Sequence, residues 1–208
     1  MNNNLSKRIF TSVILATLLL VCLFFNKYSW LTLLIIASII CFFEFYNLAK
    51  KIWKKKIEFI YLSNLISFLF LVLLIYSGYG LYKSPLTVII FVLSVCIFSD
   101  IGGFFIGKLV GGKKLTKISP NKTVSGSIGS LIFSVFPLII YFIIYNYTNN
   151  KSFQQDSWLL MFYISLILSF VCQAGDLFIS YFKRKAKVKD TGSILPGHGG
   201  LLDRIDGI

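Results

Sequence analysis

Residues 85–106 read PLTVIIFVLSVCIFSDIGGFFI, a run long enough to settle the class of fold. About 20 consecutive apolar residues form a helix as long as a bilayer core is thick. One carboxylate, Asp100, interrupts the run near its end. Outward from this segment, the same window predicts five further spans, at roughly 9–25, 28–48, 58–76, 128–147 and 158–179. Only Asn26 and Lys27 separate the first two, which predicts a tight hairpin. Lys7 and Arg8 precede the first run as they would in a secretory leader. No small-residue cleavage site follows it and further spans do, so the run is expected to be the first membrane helix.

The 208 residues are 56% hydrophobic and only 14% charged, too apolar for a water-soluble domain. Disordered, coiled-coil, secreted and nucleic-acid-binding classes fall away together, and no nucleic-acid partner is expected. The chain is expected to be all-α, a polytopic membrane helix bundle forming one integral membrane domain over 1–208. Its N-terminal helices would occupy 1–84 and its second half 85–208. Cys22, Cys41, Cys96 and Cys172 lie in apolar stretches without a CxxC pair. They read as small packing residues and not as disulfide or zinc ligands.

A net charge of +13 is explained by sidedness. With six spans and a cytoplasmic N-terminus, residues 1–8, 49–57, 107–127 and 180–208 face the cytoplasm. Of the 21 lysines and arginines, all but Lys27, Lys83 and Lys151 then lie on that side, as the positive-inside bias requires. Such residues also attract anionic membrane lipid. Seven of the eight acids, Glu44, Glu58, Asp100, Asp176, Asp190, Asp203 and Asp206, lie on or near the same side. Scarce carboxylates gathered among excess cations suggest a site.

Asp100 and Asp176 each sit near the cytoplasmic end of an apolar span, where a carboxylate is costly and by default functional. Gly102, Gly103 and Gly107 beside Asp100 would permit either close helix packing or close approach of a phosphate. The loop GGKKLTKISPNKTVSGS at 111–127 combines cations with the hydroxyls of Ser119 and Thr123. That mixture suits a polyphosphate, or a basic loop lying over anionic lipid. Asp176 and Ser180 are four apart, and Asp203 and Asp206 three apart, so each pair shares a face wherever the backbone is helical. Two such carboxylates are a natural cradle for Mg2+, which prefers oxygen ligands. The only histidine, His198, lies in a loop with Pro196, Gly197, Gly199 and Gly200.

Ser180, Phe182, Lys183, Arg184, Lys189, Asp190, Gly192, Leu195, Pro196, His198, Gly199, Gly200, Asp203, Arg204 and Asp206 together resemble the long signature of phosphatidate cytidylyltransferases, the CDP-diacylglycerol synthases. Asp100 to Gly107, and Ser119-Pro120 with Lys122-Thr123, are similar to that family's earlier blocks and occur in the same order. The resemblance implies a bacterial inner-membrane enzyme of phospholipid biosynthesis, multi-pass, with a cytoplasmic active site. It would convert CTP and phosphatidic acid to CDP-diacylglycerol and pyrophosphate. It further implies Mg2+ on Asp176, Asp203 and Asp206. Lys183, Arg184, Lys189 and Arg204 would join these acids in catalysis by holding phosphate oxygens. Asp100, Ser119, Lys122, Thr123, Ser180, His198, Gly199 and Gly200 would bind substrate, CTP phosphates or lipid headgroup. The resemblance also favours a homodimer.

Two departures from the family stand out. Ser125-Gly126 replaces the usual Glu-Gly, and family members continue past the D-R-x-D motif into a further membrane helix, whereas this chain ends at Ile208. A chain lacking that final helix is expected to leave Asp203 and Asp206 on a fraying end and to be catalytically impaired. An ion-coupled transporter is the rival from another class, with Asp100 and Asp176 as ion ligands. It leaves the charged block from Lys183 to Asp206 unexplained. A CDP-alcohol phosphatidyltransferase would need a D-G-x-x-A-R motif, which the sequence lacks.

Overall fold

A computed structural model describes residues 3–54, 56–116, 119, 122–149 and 155–205. Among these, the helices are α1 (Asn3–Phe25), α2 (Lys27–Ile52), α3 (Ile57–Tyr82), α4 (Leu86–Val110), α5 (Val124–Phe133), α6 (Phe136–Asn149), α7 (Gln155–Lys185) and α8 (Leu202–Ile205). Among the described residues, six apolar segments are long enough to cross a membrane: Ser6–Phe25, Lys27–Ile52, Ile57–Tyr82, Leu86–Val110, Val124–Tyr147 and Trp158–Lys185. The fold is therefore the all-α, multi-pass bundle the hydropathy predicts. Large apolar side chains such as Phe10, Phe70, Phe104 and Phe170 point outward, which costs little against lipid tails as apolar as they are.

Several spans run longer than expected, the second to Ile52, the third to Tyr82 and the fourth to Val110, and two differences bear on the site. The fifth span begins at Val124 rather than 128 and is broken between α5 and α6. Pro137, in the first turn of α6, has no N–H to donate to the Phe133 carbonyl of α5. Val135 N–H turns instead to the Ile132 carbonyl at 3.3 Å, and Ser134 Oγ bonds the Leu131 carbonyl this leaves at 2.7 Å. The last span continues to Lys185, so Lys183 and Arg184 stand on the final turn of α7 and not in the following loop.

The chain groups into two compact units, Met1–Ser84 with Phe182–Ile205, and Pro85–Tyr181. In the first, Asn26 Oδ1 accepts the N–H groups of Tyr28 and Ser29 at 2.9 and 2.8 Å. This capping box starts α2 immediately after α1 ends. Trp30 Nε1 donates to the Gly78 carbonyl at 2.9 Å and ties α2 to α3. Phe182 packs on Phe45 and Trp53, with ring centroids 5.1 and 6.0 Å away, and so seats the end of α7 on α2.

In the second unit α4 and α5 cross at glycines. A Cβ on Gly102 would fall 2.5 Å from the Gly129 carbonyl oxygen, and one on Gly129 would fall 2.7 Å from the Gly102 oxygen. Gly102 and Gly103 thus serve close helix packing, one of the two uses their spacing allowed. Phe91, Val95, Leu138 and Tyr141 form the apolar core, with Trp158, Met161, Ile164 and Leu168 of α7 against it. A hydrogen bond between Ser99 and Ser169, 2.8 Å between hydroxyls, closes the α4–α7 contact toward Asp100 and Asp176.

Candidate active site

In the second unit, α4 ends where Gly111 and Gly112 adopt φ of +62° and +100°, a region that disfavours any side chain. The basic loop then closes on itself. Leu115 N–H donates to the Lys122 carbonyl at 2.8 Å, and Val124 N–H to the Lys113 carbonyl at 3.0 Å. Thr123 Oγ1 accepts from Gly126 N–H at 3.1 Å, so its hydroxyl is committed to capping α5. Ser125, standing where the family usually has Glu, donates to the Gly111 carbonyl. Ser119 is held within the loop, its carbonyl accepting from Lys122 N–H at 3.1 Å.

That geometry presents Lys122 to Asp176. Their side chains form an ion pair and remain 29% and 35% exposed. One turn along α7, Ser180 Oγ donates to Asp176 Oδ1 at 3.4 Å. Asp100 is exposed on α4, and Asp176 and Lys122 are the charged groups acting on it. The unit therefore brings together two carboxylates, one ammonium and a hydroxyl, an arrangement suited to a cation and to phosphate oxygens.

In the first unit the long signature forms a folded loop. Lys187, with φ of +56°, ends α7, and Val188 N–H reaches back to the Lys183 carbonyl at 3.0 Å. Leu195 to Gly199 make a tight turn closed by Leu195 N–H donating to Gly199 O at 2.9 Å. Gly197 and Gly199 have φ of +78° and +89° there, which explains glycine at both.

Asp203 is the hub of this loop. Its Oδ1 accepts from Lys183 Nζ at 2.7 Å. Its Oδ2 accepts from Thr191 N–H at 2.8 Å and Gly200 N–H at 3.0 Å, and lies 3.0 Å from the Thr191 hydroxyl, whose one proton it shares with Glu44. The side chain is only 5% exposed. Burial pushes its acid up, but the Lys183 ammonium and the N–H groups of Thr191 and Gly200 outweigh this and hold the carboxyl below the usual carboxylate range. Asp203 is thus firmly held, contrary to the expectation of a fraying end. Asp206 lies outside the described residues. Among the described residues no group of three or more His, Cys, Asp or Glu side chains is placed to hold one metal ion.

A carboxyl whose acid is disfavoured by the fold stabilises it fully above the ordinary range near pH 4 and progressively less as pH falls through the lowered one. Pepsin cleavage within 186–201, scaled at each pH to its cleavage of an unfolded reference peptide, is therefore expected to be slow near pH 5 and to rise only in stronger acid. Equal cleavage at both would remove Asp203 as the hub.

Arg184 and Lys189 are exposed cations, as is Arg204, whose Nη2 also donates to the His198 carbonyl at 3.1 Å. The His198 ring is taken up by α1: Nδ1 pairs with the Thr11 hydroxyl, and Nε2 lies 3.3 Å from Ser12 Oγ. Burial, then the Arg204 and Arg8 guanidinium groups, lowers its pKa, leaving it neutral at pH 7. Arg8 Nε donates to the Gly197 carbonyl at 2.8 Å. Glu44, counted in the sequence only as one acid among seven, is 3% exposed and accepts from Thr191 Oγ1, Leu201 N–H and Leu202 N–H at 2.8, 2.9 and 2.9 Å. Sequence reasoning gave Glu44, Arg8 and Thr11 no role. The available signal was a carboxylate inside an apolar span, the same signal that singled out Asp100 and Asp176.

Apolar helices long enough to cross a membrane, with cations and carboxylates gathered at their ends, define a multi-pass integral membrane protein. The chain belongs to the cytidylyltransferase family, whose model matches residues 65–208. It is similar to the phosphatidate cytidylyltransferase of Rickettsia bellii (strain RML369-C), at 38% identity over 99% of this chain and 87% of that protein. The phosphatidate cytidylyltransferase of Helicobacter pylori (strain ATCC 700392 / 26695) is 38% identical over 63% of this chain, and that of Staphylococcus aureus (strain COL) 47% identical over 52%. The matched stretches span 47% and 39% of those two relatives. Family membership makes the chain a nucleotidyltransferase enzyme.

Proposed function

We propose that this chain is a phosphatidate cytidylyltransferase, making CDP-diacylglycerol and pyrophosphate from CTP and phosphatidic acid. Supporting this most directly is the coincidence of the family match with residues 65–208, which contain the Asp100, Lys122 and Asp176 group and the Lys183–Asp203 pair. An oxygen of the lipid phosphate attacks the α-phosphorus of CTP. The bond from that phosphorus to the oxygen bridging the β-phosphate breaks, and pyrophosphate leaves with the electron pair. The nucleophile is already an anion at neutral pH, so no strong general base is needed. What the protein must supply is alignment and cancellation of charge.

Lys122, with one carboxylate partner and 29% exposure, is positioned to exchange Asp176 for a phosphate oxygen. Exposed Arg184, Lys189 and Arg204 offer further donors, the two arginines in the forked geometry that suits phosphate. The donor set at Asp176 and Asp100 is all oxygen and partly exposed, which fits Mg2+. These two side chains would hold the ion, and bound there it would offset phosphate charge.

We also place the N-terminus and the basic loop on the cytoplasmic side of a bacterial inner membrane, on the strength of the lysine and arginine asymmetry. A cysteine at Lys83 is expected to react with an impermeant thiol reagent added to intact cells and one at Lys114 to be spared. The reverse pattern would invert the topology. The activity itself is tested by expression in a bacterial strain whose own CDP-diacylglycerol synthesis can be switched off. Restored growth is expected, and failure with the protein present in the membrane would count against the assignment.

A further inference from the structure

We propose that Glu44 is a positioning residue for the Thr191–Asp203 loop, so that the N-terminal helices help set the geometry of the transfer reaction. Glu44 lies on α2, within the span Lys27–Ile52 and outside the residues that match the family. A carboxylate that is 3% exposed in an apolar span is costly unless its oxygens are satisfied. They are satisfied by the loop. Oε1 accepts from Leu201 N–H at 2.9 Å, and Oε2 from Leu202 N–H at 2.9 Å and the Thr191 hydroxyl at 2.8 Å. Among the described residues it has no ion-pair partner, so backbone and hydroxyl donors from the loop are its compensation.

Two further observations tie Glu44 to Asp203. The Thr191 hydroxyl lies between the two carboxylates, 2.8 Å from Glu44 Oε2 and 3.0 Å from Asp203 Oδ2. Glycines also flank the Glu44 carboxylate on both sides, and at Gly200 a Cβ would in addition fall 2.7 Å from the Gly192 backbone nitrogen. A Cβ on Gly192 would lie 2.7 Å from Oε1, and one on Gly200 would collide with Oε2 and with Thr191 Oγ1. The loop is shaped around this carboxylate. The same loop supplies the Gly200 N–H that donates to Asp203 Oδ2, and Asp203 Oδ1 in turn accepts from Lys183 Nζ. Displacing Glu44 moves Asp203 and Lys183 without touching either.

Glutamine distinguishes positioning from bulk. It keeps the shape of glutamate but replaces one acceptor oxygen with an NH2, and both Glu44 oxygens face N–H donors. Glu44→Gln should therefore turn a hydrogen bond into a donor–donor contact. In detergent-purified full-length protein we expect kcat for CDP-diacylglycerol formation to fall roughly 100-fold. KM for CTP should change little, and trypsin should cut after Lys189 about tenfold faster. Glu44→Asp, which retains two acceptors, should recover part of both losses. Thr191→Ala, which removes the bridging hydroxyl, should reproduce the phenotype more mildly and serves if Glu44→Gln does not fold. Glu58→Gln, on the exposed start of α3, should behave as wild type. Wild-type kcat and wild-type cleavage in Glu44→Gln, or in Thr191→Ala if only that variant folds, would overturn the proposal. The kinetic arm rests on the proposed reaction, but the proteolysis arm does not. A wild-type protein without cytidylyl transfer would refute the reaction while the cleavage rates still judged Glu44.

Discussion

Asp203→Asn is expected to lower the rate of CDP-diacylglycerol formation roughly 1,000-fold while leaving the protein in the membrane. Asparagine nearly matches aspartate in shape, so the loss isolates charge and acceptor count. If its carbonyl takes the Oδ2 position, it keeps the N–H groups of Thr191 and Gly200, now 2.8 and 3.0 Å away. Its NH2 then faces the Lys183 ammonium, which donates to Oδ1 at 2.7 Å. The reverse orientation restores Lys183 and sets the NH2 against two backbone N–H groups. Neither satisfies both sides, and the Lys183 side chain, 16% exposed, loses its counter-charge. Turnover in purified variant and wild type checks this, and a rate within tenfold of wild type would show that Asp203 only decorates the loop.

Asp176→Asn should cost roughly 100-fold or more and should raise the Mg2+ concentration needed for half-maximal rate. Asp176 pairs with Lys122 and is the more engaged of the two carboxylates at its site, receiving Ser180 Oγ at 3.4 Å as well. Removing its charge weakens the proposed cation site and releases Lys122 from its partner. A Mg2+ titration separates these consequences. A lower maximal rate with an unchanged Mg2+ midpoint would move the ion away from Asp176 and leave the aspartate as an organiser of Lys122.

Much of the fold could be predicted from hydropathy because a bilayer imposes one length on every span. Six apolar runs and the Asn26 hairpin follow from local sequence alone. The break at Ser134 and Val135 did not, since both sides of it are apolar and Pro137 sits one residue inside the new helix, where proline also starts ordinary helices. The glycines at 102 and 103 carried two readings that only the opposing α5 backbone could separate. At the site, the cations and carboxylates were apparent as residue types, but not how they pair. Nothing in the spacing says that Lys122 meets Asp176 or that Lys183 meets Asp203, because those pairings depend on where the loops close. Glu44 is the clearest case. It stands 147 residues before Thr191, and only tertiary structure brings the two together, although its cost inside a span was visible beforehand.

Purified protein in detergent, given phosphatidic acid, CTP labelled in the cytosine ring, and Mg2+, puts the assignment to its most direct test. Label is expected to enter the lipid phase as CDP-diacylglycerol, with one pyrophosphate released for each lipid formed, and to stay in water when phosphatidic acid is omitted. Label remaining in the aqueous phase from a folded, membrane-extracted chain, with both substrates and the cation present, would contradict cytidylyl transfer to phosphatidic acid as its function.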